Sequence, residues 1–507
     1  MISPFPIHHR FVDRVKHDWG ARHSAVEKEG VFVSQSEVKL PGQAEEPGEG
    51  NELYAARKKI YARSVSGIFA NLRILGVALT QFVFYVFPWL IWNDRPMMLF
   101  DLVHRKFYVF GYIFFPQDFI YLTGVLVISA LALFLFTAVA GRIWCGYACP
   151  QTVYTEIFMW IERAIEGDRS RQMKLDKAPW SPRKIALKTA TQSAWVAVAL
   201  WTGFTFVGFF TPIRELAYEF VTFSMGPWET FWLFFYAFAT YGFAGYMREQ
   251  VCLYMCPYAR FQSVMFDPDT LIITYDEKRG EPRGQRRKGS DYRAEGKGDC
   301  VDCGICVQVC PTGIDIRKGL QYECIGCSAC IDGCNVVMDK MGYPRGLIRY
   351  STENVMLGKF PERTMMAHVF RPRVLLYTAI LSAITIALGV ALYLRTPLKA
   401  NIIRDRANMV RETDEGLLEN VYRMQIINMD EKPHRYTLTA SGVDNLVVTT
   451  SDPLPLEVGP ASTRVVSVGL IADPKDLKPG TTRVYIKLQD IENPGNSTNE
   501  KTSFLVR

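Results

Sequence analysis

The cysteines set the plan of this chain, because all twelve lie inside four short motifs. Eight form two runs spaced x2, x2, x3. The first is Cys300, Cys303, Cys306, Cys310, closed by Pro311, and the second is Cys324, Cys327, Cys330, Cys334. The remaining four form two Cys-x3-Cys-Pro pairs, Cys145/Cys149 before Pro150 and Cys252/Cys256 before Pro257. Runs of the first kind wrap iron–sulfur cubanes: one tight turn gives three thiolates, and the fourth cysteine reaches the other cluster. On that rule Cys300, Cys303, Cys306 and Cys334 hold one [4Fe–4S] cluster, and Cys324, Cys327, Cys330 and Cys310 hold a second. Gly304, Gly326, Ser328 and Ala329 are small enough to let backbone N–H groups approach sulfur. Asn335 stands where proline usually closes the second run, which is expected to weaken the terminal turn and leave the ligand set intact. Structural zinc favours Cys-x2-Cys units split by a longer spacer. Disulfides do not persist in a reducing compartment.

Five segments are apolar over enough length to span a bilayer: roughly 67–92, 118–141, 186–210, 228–247 and 373–394. Arg73 lies near one end of the first and can snorkel. The stretch 100–117 is aromatic but broken by charge, and reads as an interfacial or re-entrant segment. Lys and Arg cluster before the first span (Arg57, Lys58, Lys59, Arg63), between the second and third, and after the fourth. The positive-inside rule then puts the N-terminus and the loop 248–372 in the cytoplasm and residues after 395 outside. Both Cys-x3-Cys-Pro pairs fall at the cytoplasmic ends of spans two and four, on the side of the eight-cysteine loop. The net charge of +7 is modest, and no basic motif is interleaved with aromatics, so nucleic acid is not expected as a partner. Residues 1–50 have no apolar signal region and read as a flexible leader. His8, His9, His17 and His23 belong to that solvated tail or to a metal site, the tail being the simpler reading.

Spacing of i, i+4 predicts that each cysteine pair shares a helix face, with Cβ atoms about 5–6 Å apart, too wide for a disulfide. The proline after each pair breaks the helix, and Gly146 gives the ring room. Four thiols from two helix ends can meet in one site, and soft thiolates select Cu(I). Inert buried cysteines are the plainer alternative. Arg142 and Arg248 either favour the thiolates or anchor the membrane edge. Met97, Met98, Met365, Met366 and His368 either extend a copper path or simply pack. Residues 415–507 alternate apolar and polar between turn signals, which predicts an antiparallel β-sandwich with no cysteine and only His434.

The segments 141–169, 252–267, 275–284 and 298–341, in this order and with the appended β-domain, resemble the CcoG family (also called FixG or RdxA) of cytochrome oxidase accessory proteins. The resemblance implies a polytopic α-helical membrane protein with a two-cluster ferredoxin-like insertion and a C-terminal immunoglobulin-like β-sandwich. Its parts would be a cytoplasmic leader (1–55), a four-helix membrane region (56–260), a 2[4Fe–4S] ferredoxin-type domain (261–372), a fifth transmembrane helix (373–395) and a periplasmic domain (396–507). The implied home is the bacterial inner membrane. The implied activity is reduction of Cu(II) to Cu(I) for assembly of cbb3-type oxidase, with the eight loop cysteines as cluster ligands and Cys145, Cys149, Cys252 and Cys256 on the copper side. A cytoplasmic electron donor and copper chaperones or oxidase assembly factors are the implied partners. A quinol-linked electron-transfer subunit and a non-catalytic assembly scaffold are the other readings.

Overall fold

The structure is a computed structural model that describes residues 59–404, 410–477 and 479–506. The leader, its four histidines, Arg57 and Lys58 lie outside the described residues. Each of the five apolar segments contains a helix, at Ile68–Val86, Phe119–Ala140, Pro182–Val207, Pro227–Thr240 and Pro372–Tyr393. Three reach the length and apolarity needed to cross a membrane: Ile68–Trp89, Pro116–Ala140 and Pro372–Tyr393, each counted with its flanking turn where it has one. The helix of the third segment starts earlier, at Pro182, and carries Arg183, Lys184 and Lys188 on its first turns. The fourth changes after Thr240 into a π-helix over Tyr241–Met247.

Proline sets several helix starts, because it needs no N–H partner in the first turn. It occupies the first turn at Pro150, Pro182, Pro227, Pro257 and Pro372. The second and last apolar helices run antiparallel. Tyr121 near the start of one donates to the Ala391 carbonyl near the end of the other (3.2 Å), while Arg371 at the opposite end donates to Ala138 (3.1 Å). The 182–207 and 227–240 helices approach closely at Gly203, where any Cβ would collide with the Leu233 carbonyl.

The first helix begins on the cysteine loop. The buried Asp332 carboxylate accepts from the N–H of Ala70 (2.8 Å) and Phe69 (3.4 Å), two of the donors a helix start leaves unpaired. Gly67 is required beside it, since a Cβ there would collide with that carboxylate. Asp332→Ala is therefore expected to lower stability in detergent by about 1–2 kcal/mol and to speed hydrogen exchange at Phe69 and Ala70. Exchange at wild-type rates at both amides would rule out the cap.

The stretch expected to be interfacial or re-entrant folds as a small antiparallel sheet of Met98–Asp101, Lys106–Val109 and Tyr112–Phe114. Short alternation with turns every few residues satisfies the backbone within the sheet. Ile113 and Phe115 pack against Ile427 and Met429 of the C-terminal domain, and Arg95 pairs with Glu431. At the same junction the buried Asp118 carboxylate sits between Arg395 (2.6 Å) and Lys399 (2.5 Å).

The C-terminal domain is a two-sheet antiparallel sandwich. One sheet has the order Val447–Thr450, Thr463–Ala472, Leu418–Asn428, Leu398–Arg404, and the other Leu456–Val458, His434–Ser441, Gly480–Asp490, Ser497–Val506. Their inner faces bury Tyr422, Tyr436, Leu470, Ile486 and Phe504 in one core. The alternation over 435–440, 463–470 and 482–490 therefore falls on strands, as period-two patterning predicts. His434 is held between Asp430 (3.1 Å) and Asp490 (2.8 Å).

Candidate functional site

The eight loop cysteines line two small cavities of nearly equal size, about 20 Å³ each. One is lined by Cys300, Cys303, Cys306 and Cys334 together with Tyr275 and Arg317. The other is lined by Cys310, Cys324, Cys327 and Cys330, with Cys306 on the shared wall. The chain around them has little regular structure: a four-residue helix at Ile305–Gln308, the helix Ala329–Met341, and strands Ile272–Tyr275 and Ile348–Ser351 paired as a clasp. Positive φ at Gly304, Gly326 and Ser328 turns the backbone around the sulfurs. Amide N–H groups of Val307, Gly326, Ala329 and Ile348 reach Cys306, Cys324, Cys327 and Cys334 respectively.

Without a metal these thiols are expensive to ionise. Burial pushes Cys306 and Cys327 up to about 11 and Cys324 and Cys334 up to about 12. A soft, buried donor set inside a closed cradle, with N–H groups aimed at sulfur, fits a bound cubane, whose charge supplies the missing compensation. Asn335, expected to weaken the terminal turn, leaves the helix unbroken. The 329–341 helix runs straight through it, and its side chain accepts from the Gly346 N–H (3.0 Å).

The two Cys-x3-Cys-Pro motifs converge. Cys145 lies in a short helix, Ile143–Tyr147, while Cys149 is extended and precedes the helix Pro150–Glu166. Cys252 lies in a π-turn, Val251–Met255, and Cys256 is extended before Pro257–Met265. The members of each pair thus do not share a helix face. Proline disfavours the α conformation in the residue before it, so the second cysteine of each pair leaves the helix. The motifs are tied together by Gln151, whose amide donates to the carbonyls of Phe243 (2.9 Å) and Arg248 (3.1 Å). Gln262, from beyond the second motif, places its amide 3.6 Å from the Cys145 sulfur. The thiols act on one another electrostatically. Burial first, then the neighbouring cysteines, raises Cys145 to about 11 and Cys252 to about 12, and Cys149 is raised mainly by burial. Among the described residues no three His, Cys, Asp or Glu side chains close on a single-ion point.

The two arginines differ in what they meet. Arg142 opposes the rise at both Cys145 and Cys252, though burial outweighs it. Arg248 is committed elsewhere, to Glu162 (2.8 Å) and the Gly245 carbonyl (2.9 Å). His368 stacks on Phe360 with centroids 3.7 Å apart, and Met97 is buried.

The membrane-side motif and the second cavity touch directly. A Cβ on Gly146 would sit 2.9 Å from the Cα and N of Cys327, so glycine here admits the cysteine turn and not the proline ring. Gly326 meets the Arg142 carbonyl in the same way. Arg73 does not snorkel; its guanidinium donates to the Cys327 carbonyl (2.6 Å). A relay finishes the clamp: Tyr147 donates to Ser328 (3.1 Å), Ser328 to Tyr350 (2.6 Å), and Tyr350 to the Gly326 carbonyl (3.1 Å). Cys145 packs with Val309, Ile325 and Cys327 in one apolar cluster. Gln262, Arg73 and Asp332 carry no sequence signal of this role, since each acts across more than a hundred residues of chain.

Comparison with known proteins agrees with this arrangement. The family model described as a 4Fe-4S dicluster domain matches residues 247–353, one described as a 4Fe-4S binding domain matches 122–167, and the IG-like fold at the C-terminal of FixG matches 388–507. The chain is 36% identical to Protein RdxA of Cereibacter sphaeroides over 87% of its own length and 96% of that protein's. It is 38% identical to Protein RdxB of the same organism, over 78% and 85%. With the Nitrogen fixation protein FixG of Rhizobium meliloti it shares 39% identity over 77% and 80%. An iron–sulfur region built onto apolar helices, followed by the FixG-type sandwich, makes this chain a member of the FixG/RdxA family.

Proposed function

We propose that this protein reduces Cu(II) to Cu(I) at Cys145, Cys149, Cys252 and Cys256, using electrons delivered through the eight-cysteine loop, in the service of cbb3-type oxidase assembly. The observation that carries the reading is the backbone contact of Gly146 with Cys327, which leaves no intervening layer between the two cysteine sets. Cys300, Cys303, Cys306 and Cys334 would hold one [4Fe–4S] cluster, and Cys310, Cys324, Cys327 and Cys330 the other. When bound, such clusters supply one-electron storage and transfer. Copper is the substrate, and the reaction consumes one electron per Cu(II). Thiolates favour the softer Cu(I) product, so the donor set itself assists the reduction. Arg142 eases thiol ionisation, and Gln262 orients Cys145.

All five helices are read as spans, with the N-terminus and the cysteine loop cytoplasmic and the sandwich periplasmic. The distribution of Lys and Arg supports this sidedness. The outward aromatic face of the 227–240 helix, with Trp228 and Phe238 largely exposed, suits lipid contact.

The test is anaerobic Cu(II) reduction scored with a Cu(I)-specific chelator. A Cys145→Ala/Cys149→Ala variant is expected to lose more than about tenfold in rate, since groups that merely support metal ligands are worth that much. Its iron content should not change. Wild-type rates in that variant would overturn the assignment. The quinol-linked reading has one observation in its favour, a cavity of about 130 Å³ lined by Ile74, Arg73, Glu156, Cys252 and Cys327. Cluster reduction by a quinol analogue without copper turnover would support it instead.

A further inference from the structure

Among the twelve cysteines only Cys303 is exposed; the others are buried or half-buried. It belongs to the cavity that Cys300 lines, and the other cavity is the one pressed against the membrane-side helix. Electrons that leave at Cys145 therefore have their most accessible entry at Cys303.

A built loop lies beside that entry. It is anchored at Cys300, which lines the cavity, and next to it in the chain: Gly284 N–H bonds the Cys300 carbonyl (3.3 Å), and Asp299 is fixed by Arg279 (2.6 Å) and the Tyr292 hydroxyl (2.8 Å). The Arg286 guanidinium lies over the adjoining rings of Tyr292 (4.4 Å) and Tyr343 (5.3 Å) and donates to the Gly298 carbonyl (2.7 Å). These contacts hold the loop to the cavity and leave Arg283, Arg287, Lys288 and Arg293 exposed. From Lys278 to Lys297 eight residues are basic and three acidic. The carboxylates nearest the entry are already engaged, because Arg317 pairs with both Asp302 and Asp315. Arg283 is paired with Glu281 (3.6 Å) and Lys297 with Glu295 (2.7 Å), so the solvent face of this loop, beside the cavity that Cys303 lines, is a rim of net positive charge on a fixed frame.

We infer that this rim is the docking surface for an acidic one-electron carrier protein, of the flavodoxin or ferredoxin class, seated over Cys303. The inference rests on the electron-transfer reading above and names the class of its donor. In each encounter the carrier is oxidised by one electron and this chain is reduced by one; no proton or group moves between them. Complementary charge raises the rate of encounter by steering, and the effect fades with salt. A positive loop near a membrane can also bind anionic lipid. The loop's anchors favour the carrier, since they lie at Cys300 and its neighbour Asp299 and not in the turn that meets the membrane helices.

The experiment uses the iron-loaded full chain in lipid discs, an acidic flavodoxin as probe, and an Arg287→Glu/Lys288→Glu variant. Two quantities are read at low salt: flavodoxin affinity by calorimetry, and the rate of cluster bleaching on mixing with reduced flavodoxin. Both should fall about tenfold in the variant, and the wild-type values should fall toward those of the variant as salt rises. Reduction by a photoreduced neutral deazaflavin should be equal in the two proteins, which keeps a misfolded variant from passing as support. Unchanged affinity and rate would overturn the inference. So would an effect seen only in discs containing phosphatidylglycerol and lost in phosphatidylcholine, which would assign the rim to lipid. Neither readout involves copper, so a failure of copper reduction would leave this result interpretable.

Discussion

Stripping iron from the purified protein with a chelator under oxidising conditions is expected to unfold residues 299–351 while the 398–506 sandwich stays folded. The asymmetry follows from what fills each core. Around the two cysteine cavities the buried cluster counts Cys300, Cys306 and Cys334 among its own members, beside Ile273, Ile316, Met338 and Ile348. Between Glu281 and Ser328 the described regular structure is one four-residue helix and one 3₁₀ turn. So little backbone hydrogen bonding cannot hold a loop of that length alone, and metal–ligand energy is folding energy in such domains. Emptied cavities would also leave buried thiols facing one another, with Cys330 driven well above the ordinary thiol range by burial and four neighbouring cysteines. The sandwich has no such dependence. It contains no cysteine, and Tyr422, Val468, Ile486 and Phe504 are fully buried in a continuous apolar core. Hydrogen exchange read by mass spectrometry separates the cases: amides of 329–341 should lose protection, and those of 418–428 and 480–490 should keep it. Retained protection over 329–341 after complete iron loss would show that the loop folds on packing alone. The first helix should loosen too, because its two capped N–H groups depend on Asp332 within the unfolding segment.

The parts legible in the sequence are those written in local periodicity. Long apolar runs marked the helices, and period-two alternation marked the sandwich strands, because both patterns are dictated by which face a regular element buries. The cysteine spacing grouped the eight loop residues as the two cavities group them, since a tight turn can offer only neighbouring thiols. Contacts between distant segments left no such mark. Arg73 looked like a snorkelling side chain because a carbonyl partner 254 residues away has no local signature. The 98–114 sheet was hidden by strands of three and four residues, too short for alternation to register. The break inside each Cys-x3-Cys-Pro pair was readable in principle, since the residue before a proline avoids the helix; the i, i+4 spacing pointed the other way.

Gly146→Val should cut Cu(II) reduction about a hundredfold while leaving iron content and thiol count unchanged, on the measure that a displacement near 1 Å at a reacting pair costs about that much. The valine Cβ would lie 2.9 Å from the Cα and N of Cys327 and from the Gly326 carbonyl carbon, distances that real Cβ atoms do not adopt. All three neighbours are backbone, so no side chain can swing aside. Retreat in the other direction is closed as well. Gly76 of the first helix meets the Tyr147 carbonyl so closely that a Cβ there would stand 2.6 Å away. The 143–147 helix is therefore gripped from two sides, and the cysteine turn must move off Cys145 to admit the side chain. Overpacking of this kind costs about 1–3 kcal/mol, a lower melting temperature rather than a failure to fold. Gly389→Val is the control, for a Cβ at Gly389 meets nothing within 4 Å. Stopped-flow reoxidation of the reduced protein by Cu(II) gives the rate directly. A Gly146→Val protein that reoxidises as fast as wild type would mean that electrons do not pass where Gly146 touches Cys327, and the route to the four membrane-side thiols would have to lie elsewhere.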